Sequence, residues 1–164
     1  MDEATIRAAA TEVLALCRGK GWMVATAESC TGGLVAGALT AIAGSSDVVD
    51  RGFVTYTNEA KHEMLGVSEA VLARFGAVSR ETAEAMARGA LGRSRAHLAV
   101  SITGIAGPGG ATETKPVGLV HFAAASSDGR LIAEERRFGP IGRDEVRAES
   151  VAVALGMLKA LASG

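Results

Sequence analysis

The chain has 164 residues, of which 48% are hydrophobic and 4% aromatic, and its net charge is −1 at pH 7. This length predicts one domain, residues 1–164, and the charge excludes a broad basic surface for nucleic acid or an anionic membrane. No apolar run approaches the roughly twenty residues that span a bilayer. Two cysteines without a CxxC motif argue against a disulfide framework or structural zinc, and the charged N-terminal segment does not resemble a signal peptide. We therefore expect a cytoplasmic protein.

The first part of the chain alternates helical and strand-like patterns. Apolar residues recur at helical spacing over residues 6–17, and the glycines in "GKG" at 19–21 are predicted to end that helix. The run "WMVATA" predicts a short buried strand, and small apolar residues over 34–42 predict a helix packed on a sheet. Residues 48–57 are rich in β-branched and aromatic side chains and predict the next strand.

Three helices are predicted next, and each opens with a residue type that caps helices: Asn58, Ser68 and Ser79. A buried strand over 96–103, a glycine-rich loop, two strands around "SSDG" and a helix over 143–161 complete the order. The charged last strand, "RLIAEERRF", is predicted to form an exposed edge. The expected fold class is α/β, as a single three-layer α/β/α domain with a mixed, mostly buried sheet.

Ligands of such sheets bind where strands end, and three polar loops are predicted at strand ends: "ESCTGG", "YTNEAK" and "GIAGPGG". In the first loop, Ser29 precedes two glycines that allow a sharp turn. Its hydroxyl faces the positive end of a helix dipole, where an alkoxide or oxyanion is stabilised. The other interpretation is that Ser29 or Thr31 only caps the helix. Cys30 is either a rival nucleophile or a small buried hydrophobic residue.

A serine nucleophile needs a base, and Lys61 in the second loop is a candidate. If Asn58 caps its helix, Lys61 occupies the third helical position, where the helix dipole lowers the pKa of an amine. Burial would lower that pKa further and favour the neutral amine that a general base requires. The other interpretation is an exposed, solvated lysine.

The third loop, "TGIAGPGGATETKP", holds four glycines within seven residues: Gly104, Gly107, Gly109 and Gly110. It matches neither a P-loop nor a GxGxxG motif, yet its amides and the Thr103 hydroxyl could contact a phosphate or carbonyl oxygen. The other interpretation is that this loop is an ordinary flexible connector. At the start of the last helix, Arg143 could hold an anion, whereas Arg147 is interpreted as a surface arginine paired with Asp144 or Glu149.

Three motifs in this order, "AESCTGG", "RGFVTYTNEAK" and "TGIAGPGG" followed by "KPVGLV", resemble the CinA C-terminal domain family over nearly the whole chain. Stand-alone members of that family are nicotinamide-nucleotide amidohydrolases. The resemblance therefore implies an enzyme that hydrolyses the carboxamide of nicotinamide mononucleotide to nicotinate mononucleotide and ammonia. The implied partner is a small pyridine mononucleotide, and Ser/Lys chemistry needs no metal or other cofactor.

The family's Ser/Lys mechanism implies that Ser29 is the nucleophile and Lys61 the base, with Tyr56 and Thr103 as further catalytic positions. The oxyanion would be held by the Thr103 hydroxyl or by backbone amides near Gly32 and Gly33. The positions expected to bind substrate are Cys30, Thr31, Gly32, Gly33, Gly104, Gly107, Gly109, Gly110 and Arg143.

The sequence departs from the family pattern at two positions. Gly142 stands where the late motif has an aspartate, and Arg51 replaces the first glycine of the strand motif. The first departure keeps a second hypothesis open, namely a non-catalytic, nucleotide-binding, competence-associated protein with the same fold. The alanine-rich faces of the first and last helices are compatible either with a core or with a homo-oligomer interface.

Overall fold

The computed structural model describes residues 2–164, and this part of the chain contains five strands and six α-helices. In chain order the elements are α1 (Glu3–Lys20), β1 (Val24–Glu28), α2 (Leu34–Thr40), a 3₁₀ turn (Ser45–Asp47), β2 (Val49–Val54), α3 (Asn58–Leu65), α4 (Glu69–Phe75), α5 (Arg80–Gly92), β3 (Leu98–Gly104), β4 (Leu119–Ser126), β5 (Leu131–Arg137) and α6 (Arg143–Ser163). None of these helices is long and apolar enough to cross a membrane.

The strands form one mixed sheet in the order β2-β1-β3-β4-β5. Strands β2, β1 and β3 are parallel, while β4 pairs antiparallel with both β3 and β5. The predicted mixed sheet is confirmed, and so is the position of the charged strand β5 at an edge. Because β2, β1, β3 and β5 all run in one direction, the loops after them emerge at the same end of the sheet.

Helices cover both faces of the sheet, which confirms the predicted three layers. The larger core lies under α1, α2 and α6 and contains Leu14, Leu39, Phe122 and Leu155. On the opposite face, Ala83 and Ala87 of α5 cluster with alanines of β4, so small side chains let that helix lie close to the sheet. This packing explains how a chain with few aromatic residues fills its interior.

One predicted helix cap is wrong. Ser68 and Ser79 cap α4 and α5 as predicted, but α3 is capped by Thr57, whose hydroxyl accepts a hydrogen bond from Ala60 N at 3.0 Å. Strand β2 accordingly ends at Val54 rather than at Thr57. Asn58 is thus the first residue of the helix and Lys61 the fourth, one position deeper than predicted.

A glycine in α5 fixes the position of α3. A Cβ atom on Gly89 would lie 2.0 Å from the backbone oxygen of Leu65, the last residue of α3. Only glycine therefore lets the two helices approach this closely. Since α3 carries Lys61, this contact helps to set the position of the candidate base.

Candidate active site

The three polar loops converge on one cavity of about 270 Å³ at the end of the sheet. The cavity is lined by Ser29, Cys30, Tyr56, Lys61, Ala77, Val78, Thr103, Gly104, Ile105, Ala106, Gly107, Gly109, Gly110 and Arg143. The predicted position of these loops after strands is confirmed, and the structure brings them together at one cavity. Three residues expected to bind substrate lie outside this lining: Thr31, Gly32 and Gly33.

Lys61 contacts Ser29 directly although they are 32 positions apart in the chain. The Lys61 Nζ atom lies 3.0 Å from Ser29 Oγ, 2.9 Å from the Thr55 carbonyl oxygen and 3.3 Å from the Tyr56 carbonyl oxygen. A neutral amine has two N–H groups and one lone pair. If the two carbonyl oxygens accept the two N–H groups, the lone pair remains for the Ser29 hydroxyl proton.

Burial controls the charge of Lys61. Its side chain is only 1% exposed, and loss of water around the ammonium group lowers its pKa from 10.5 to about 8. The helix dipole acts on Lys61 less than the sequence predicts, because Lys61 lies at the fourth rather than the third helical position. The exposed, solvated interpretation of Lys61 is wrong for this structure.

Backbone contacts hold Ser29 at the carboxyl end of β1. Its N–H donates to the Ile102 carbonyl oxygen of β3 at 2.9 Å, which extends the β1–β3 pairing by one residue. The Gly32 N–H donates to the Ser29 carbonyl oxygen at 3.0 Å and closes a tight turn. Gly32 and Gly33 have φ angles of 55° and 106°, a region that favours glycine. These glycines shape the turn that presents Ser29.

Cys30 has the properties of a buried hydrophobic residue. Its side chain is 6% exposed, and burial raises the pKa of its thiol to about 11. A thiol with such a pKa is almost fully protonated near pH 7, whereas the thiolate is the nucleophilic form. The geometry and the pKa therefore favour Ser29 over Cys30 as the nucleophile.

Thr103 and Arg143 both line the cavity, and each donates hydrogen bonds to neighbouring segments. The Thr103 hydroxyl donates to the Ala77 carbonyl oxygen at 2.7 Å. Arg143 donates from Nη1 to the Gly107 carbonyl oxygen at 2.8 Å and from Nη2 to the Tyr56 hydroxyl at 3.1 Å. Arg143 thus bridges the second and third loops at the cavity mouth, where Tyr56 is exposed.

The cavity has a positive character. Lys61 and Arg143 line it, and none of the described residues in its lining is acidic. Such a site is suited to a ligand with a phosphate group and to an oxyanion that forms during a reaction. No group of three or more His, Cys, Asp or Glu side chains that could hold a metal ion occurs within residues 2–164.

Sequence reasoning missed two residues that hold the Ser29 turn. Arg147 reaches the carbonyl oxygens of Cys30 and Thr31 at 3.1 and 3.4 Å, although it was interpreted as a surface arginine. Glu28 is completely buried and accepts the Thr31 hydroxyl at 2.7 Å. One signal in the sequence could have indicated Glu28. An acidic residue ends an apolar strand, and the helix that follows begins after two glycines, which have no side chain to cap it.

Comparisons with known proteins agree with this architecture. The model of the CinA C-terminal domain family matches residues 6–162. The chain is 48% identical over 155 residues to the nicotinamide-nucleotide amidohydrolase PncC of Enterobacter agglomerans, covering 94% of each chain. It is 54% identical over 128 residues to a putative competence-damage inducible protein of Caldicellulosiruptor saccharolyticus, covering 78% of this chain but only 30% of that longer protein.

A solved structure is similar in both sequence and fold. The competence/damage inducible protein CihA from Agrobacterium tumefaciens superimposes with a TM-score of 0.95 at 59% identity. The match covers 96% of this chain and 95% of that one. Since the family model, the full-length relative and the solved structure all agree, this chain belongs to the CinA C-terminal domain family.

Proposed function

We propose that this protein hydrolyses the carboxamide of nicotinamide mononucleotide, with Ser29 as nucleophile and Lys61 as general base. The observation that carries the proposal is the 3.0 Å contact between Lys61 Nζ and Ser29 Oγ inside a cavity. The name of the full-length relative, a nicotinamide-nucleotide amidohydrolase, supports this substrate. The products are ammonia and nicotinate mononucleotide.

In the first step Ser29 Oγ attacks the carboxamide carbon while neutral Lys61 accepts the hydroxyl proton. The carbonyl π bond opens, and its oxygen becomes an oxyanion bound to a tetrahedral carbon. The carbonyl oxygens of Thr55 and Tyr56 accept the N–H groups of Lys61 and orient its lone pair toward Ser29. They also stabilise the ammonium ion that forms when Lys61 takes the proton.

The oxyanion needs donors that are not used elsewhere. The Gly32 N–H donates to the Ser29 carbonyl oxygen, and the Thr103 hydroxyl donates to Ala77, so each must break a bond before it can serve. Cys30 and Ala106 line the cavity, and neither N–H group is bonded to a backbone oxygen within residues 2–164. The Cys30 N–H contacts its own sulfur atom, which is a weak acceptor that an oxyanion can displace. We assign the oxyanion to these two amides, while direct donation by Thr103 stays a prediction.

The reaction is completed by returning the proton. Protonated Lys61 gives its proton to the carboxamide nitrogen as the C–N bond breaks, so ammonia leaves and an ester on Ser29 remains. Lys61, neutral again, takes a proton from a water molecule that attacks the ester. Collapse of the second tetrahedral intermediate breaks the bond to Ser29 Oγ, which recovers its proton from Lys61, and releases the product as a carboxylic acid. In solvent this acid loses its proton to give nicotinate, and ammonia takes up a proton to give ammonium.

Arg143 is the side chain we assign to the substrate phosphate. It lies exposed at the cavity mouth, next to the loop that contains Gly107, Gly109 and Gly110. A guanidinium group offers a phosphate two parallel hydrogen bonds, and glycine amides can approach it without a side chain in between. In this arrangement the pyridine ring enters the cavity and the phosphate remains at its rim.

The direct test is ammonia release from nicotinamide mononucleotide by the purified wild type and by Ser29→Ala and Lys61→Ala. We expect each variant to lose at least a thousandfold in kcat while keeping its circular dichroism spectrum, as for other nucleophile and base deletions. Ser127→Ala and Lys159→Ala are the matched controls, because both residues are exposed and distant in the fold from the cavity lining.

Three outcomes would contradict the proposal. Full activity in Ser29→Ala with loss in Cys30→Ala would overturn the nucleophile assignment. Tight calorimetric binding of the mononucleotide without turnover would favour the non-catalytic binding protein. Faster ammonia release from free nicotinamide or from its riboside than from the mononucleotide would overturn the substrate assignment.

A further inference from the structure

Glu28 is a buried acid beside the nucleophile that the proposed reaction does not use. It is the last residue of β1, and its side chain is fully buried. One carboxylate oxygen accepts the Thr31 hydroxyl at 2.7 Å and the Val35 N–H at 2.9 Å, and the other accepts the Ala36 N–H at 3.1 Å. A buried carboxylate is retained only when such donors compensate for its lost hydration.

These contacts replace the helix cap that α2 lacks. The residue before α2 is Gly33, which has no side chain to accept the first N–H groups of the helix. Glu28 reaches across the turn and accepts two of them. The turn of residues 29–33 is therefore clamped at both ends, by the Glu28 backbone in β1 and by the Glu28 carboxylate on α2.

The backbone of Glu28 also connects to the candidate base. Its carbonyl oxygen accepts the Thr55 N–H at 2.8 Å. The Thr55 carbonyl oxygen in turn contacts Lys61 Nζ at 2.9 Å. Glu28 is thus adjacent in the chain to Ser29, and its backbone is hydrogen-bonded to Thr55, the residue whose carbonyl oxygen orients Lys61.

We propose that Glu28 is a positioning residue, whose carboxylate holds the Ser29 turn against α2 and thereby keeps Ser29 Oγ within reach of Lys61 Nζ. The inference rests on the proposed function for the identity of the reaction. Glu28 does not line the cavity, and its oxygens face the Thr31 hydroxyl and the α2 amides. It therefore acts through Ser29 and not on the substrate itself.

The first test compares Glu28→Gln with wild type in the mononucleotide assay. The glutamine amide has the size of the glutamate side chain, but an NH₂ group replaces one of the two oxygens. Since both oxygens accept hydrogen bonds in the wild type, at least one of these bonds is lost. A displacement of about 1 Å between reacting groups costs on the order of 100-fold in rate, so we expect kcat to fall by that order while KM changes less than threefold. Glu63→Gln, an exposed acid on α3, is the matched control and should match wild type.

A second pair of variants covers the case in which Glu28→Gln does not fold. Thr31→Val removes the hydroxyl that Glu28 accepts, and Thr31→Ser keeps it. We expect Thr31→Val to lower kcat and Thr31→Ser to retain most of it. Equal kcat values for the two variants, or a Glu28→Gln enzyme within twofold of wild type, would overturn the inference.

The pH dependence distinguishes positioning from general loosening of the fold. If Glu28 only positions Ser29, Lys61 stays buried and the inflection in the pH–kcat profile of Glu28→Gln stays where wild type has it. If the substitution loosens the site, water reaches Lys61 and the inflection moves upward toward that of an ordinary lysine. An upward shift of one pH unit or more would therefore overturn the positioning role.

A substrate-independent measurement separates this inference from the proposed function. A fluorophosphonate reacts with an activated serine: an O–P bond forms, the P–F bond breaks and fluoride leaves, and Lys61 takes the hydroxyl proton. The labelled residue is identified by mass spectrometry. Slower labelling of Ser29 in Glu28→Gln than in wild type would support the inference even if neither protein acted on the mononucleotide. Equal labelling rates would overturn it, and so would the absence of any label on wild-type Ser29.

Discussion

Replacing Lys61 with methionine is expected to change how the stability of the protein depends on pH. The lysine side chain is 1% exposed, and burial lowers its pKa from 10.5 in the unfolded chain to about 8 in the folded protein. Methionine fills a similar unbranched space without a titratable group. The comparison of the two proteins therefore isolates the proton equilibrium of Lys61.

The magnitude follows from the two pKa values. Below about pH 8 both states hold the proton, and the depressed pKa costs the folded state about 3 kcal/mol. Between about pH 8 and 10.5 the unfolded chain keeps the proton and the folded chain has lost it, so the folded state gains stability as the pH rises. Between pH 7 and pH 10 this gain amounts to about 2.5 kcal/mol.

Urea unfolding at several pH values between 7 and 10 measures this effect. The free energy of unfolding of wild type minus that of Lys61→Met should rise by about 2.5 kcal/mol across this range. Hydrogen bonds and packing that methionine loses shift the difference by a constant and do not alter its slope. Lys159→Met, which changes an exposed lysine, is the control.

Parallel pH curves for wild type and Lys61→Met would refute the reasoning. Such curves would mean that Lys61 has the same pKa in the folded and unfolded states and that burial does not produce a neutral amine near pH 8. Lys61 would then be protonated at neutral pH and could not act as a general base.

Three further predictions follow from the same contacts. The kcat/KM of wild type should rise about tenfold per pH unit below pH 8 and level off above it, and a flat pH profile of kcat/KM from pH 6 to 9 would contradict a Lys61 base. Arg143→Ala should raise KM for nicotinamide mononucleotide about tenfold or more but leave KM for the riboside nearly unchanged, and steady-state kinetics with equal effects on both would contradict a phosphate contact. Gly89→Ala should destabilise the protein by about 2 kcal/mol or more, because the new Cβ would lie 2.0 Å from Leu65 O. Gly156→Ala should stabilise it by about 0.5–1 kcal/mol, because the space around its Cβ is open, and thermal denaturation compares the two variants.

Local patterns in the sequence predicted most of the fold. Strands β1 and β3 follow apolar runs, and α4 and α5 begin after the capping serines Ser68 and Ser79. These features depend on neighbouring residues only, so they can be recognised without tertiary information. The error at Asn58 has the same origin, since the adjacent Thr57 has a similar capping preference and only the path of the chain out of β2 selects it.

The candidate site was predicted less completely, because local sequence patterns do not indicate which distant side chains come into contact. The motifs pointed to Ser29 and Lys61 as candidates, but they did not indicate that the Thr31 hydroxyl donates a hydrogen bond to Glu28. They also left Arg147 at the surface, although it holds carbonyl oxygens of the Ser29 turn. In both cases the hydrogen-bond partner depends on how separate helices and strands pack together. The sequence predicts these elements one by one but not their packing.

The amino-acid sequence alone therefore determined the order of the elements, the α/β fold class and the three loops at the ends of strands. Only the tertiary structure decided that Lys61 is buried and that its amine lies 3.0 Å from Ser29 Oγ. It also decided that the Glu28 carboxylate bonds the Thr31 hydroxyl and two N–H groups of α2. The physical reason is that periodicity and capping depend on adjacent residues. The pKa of a lysine depends instead on how much water is excluded by every element packed around it.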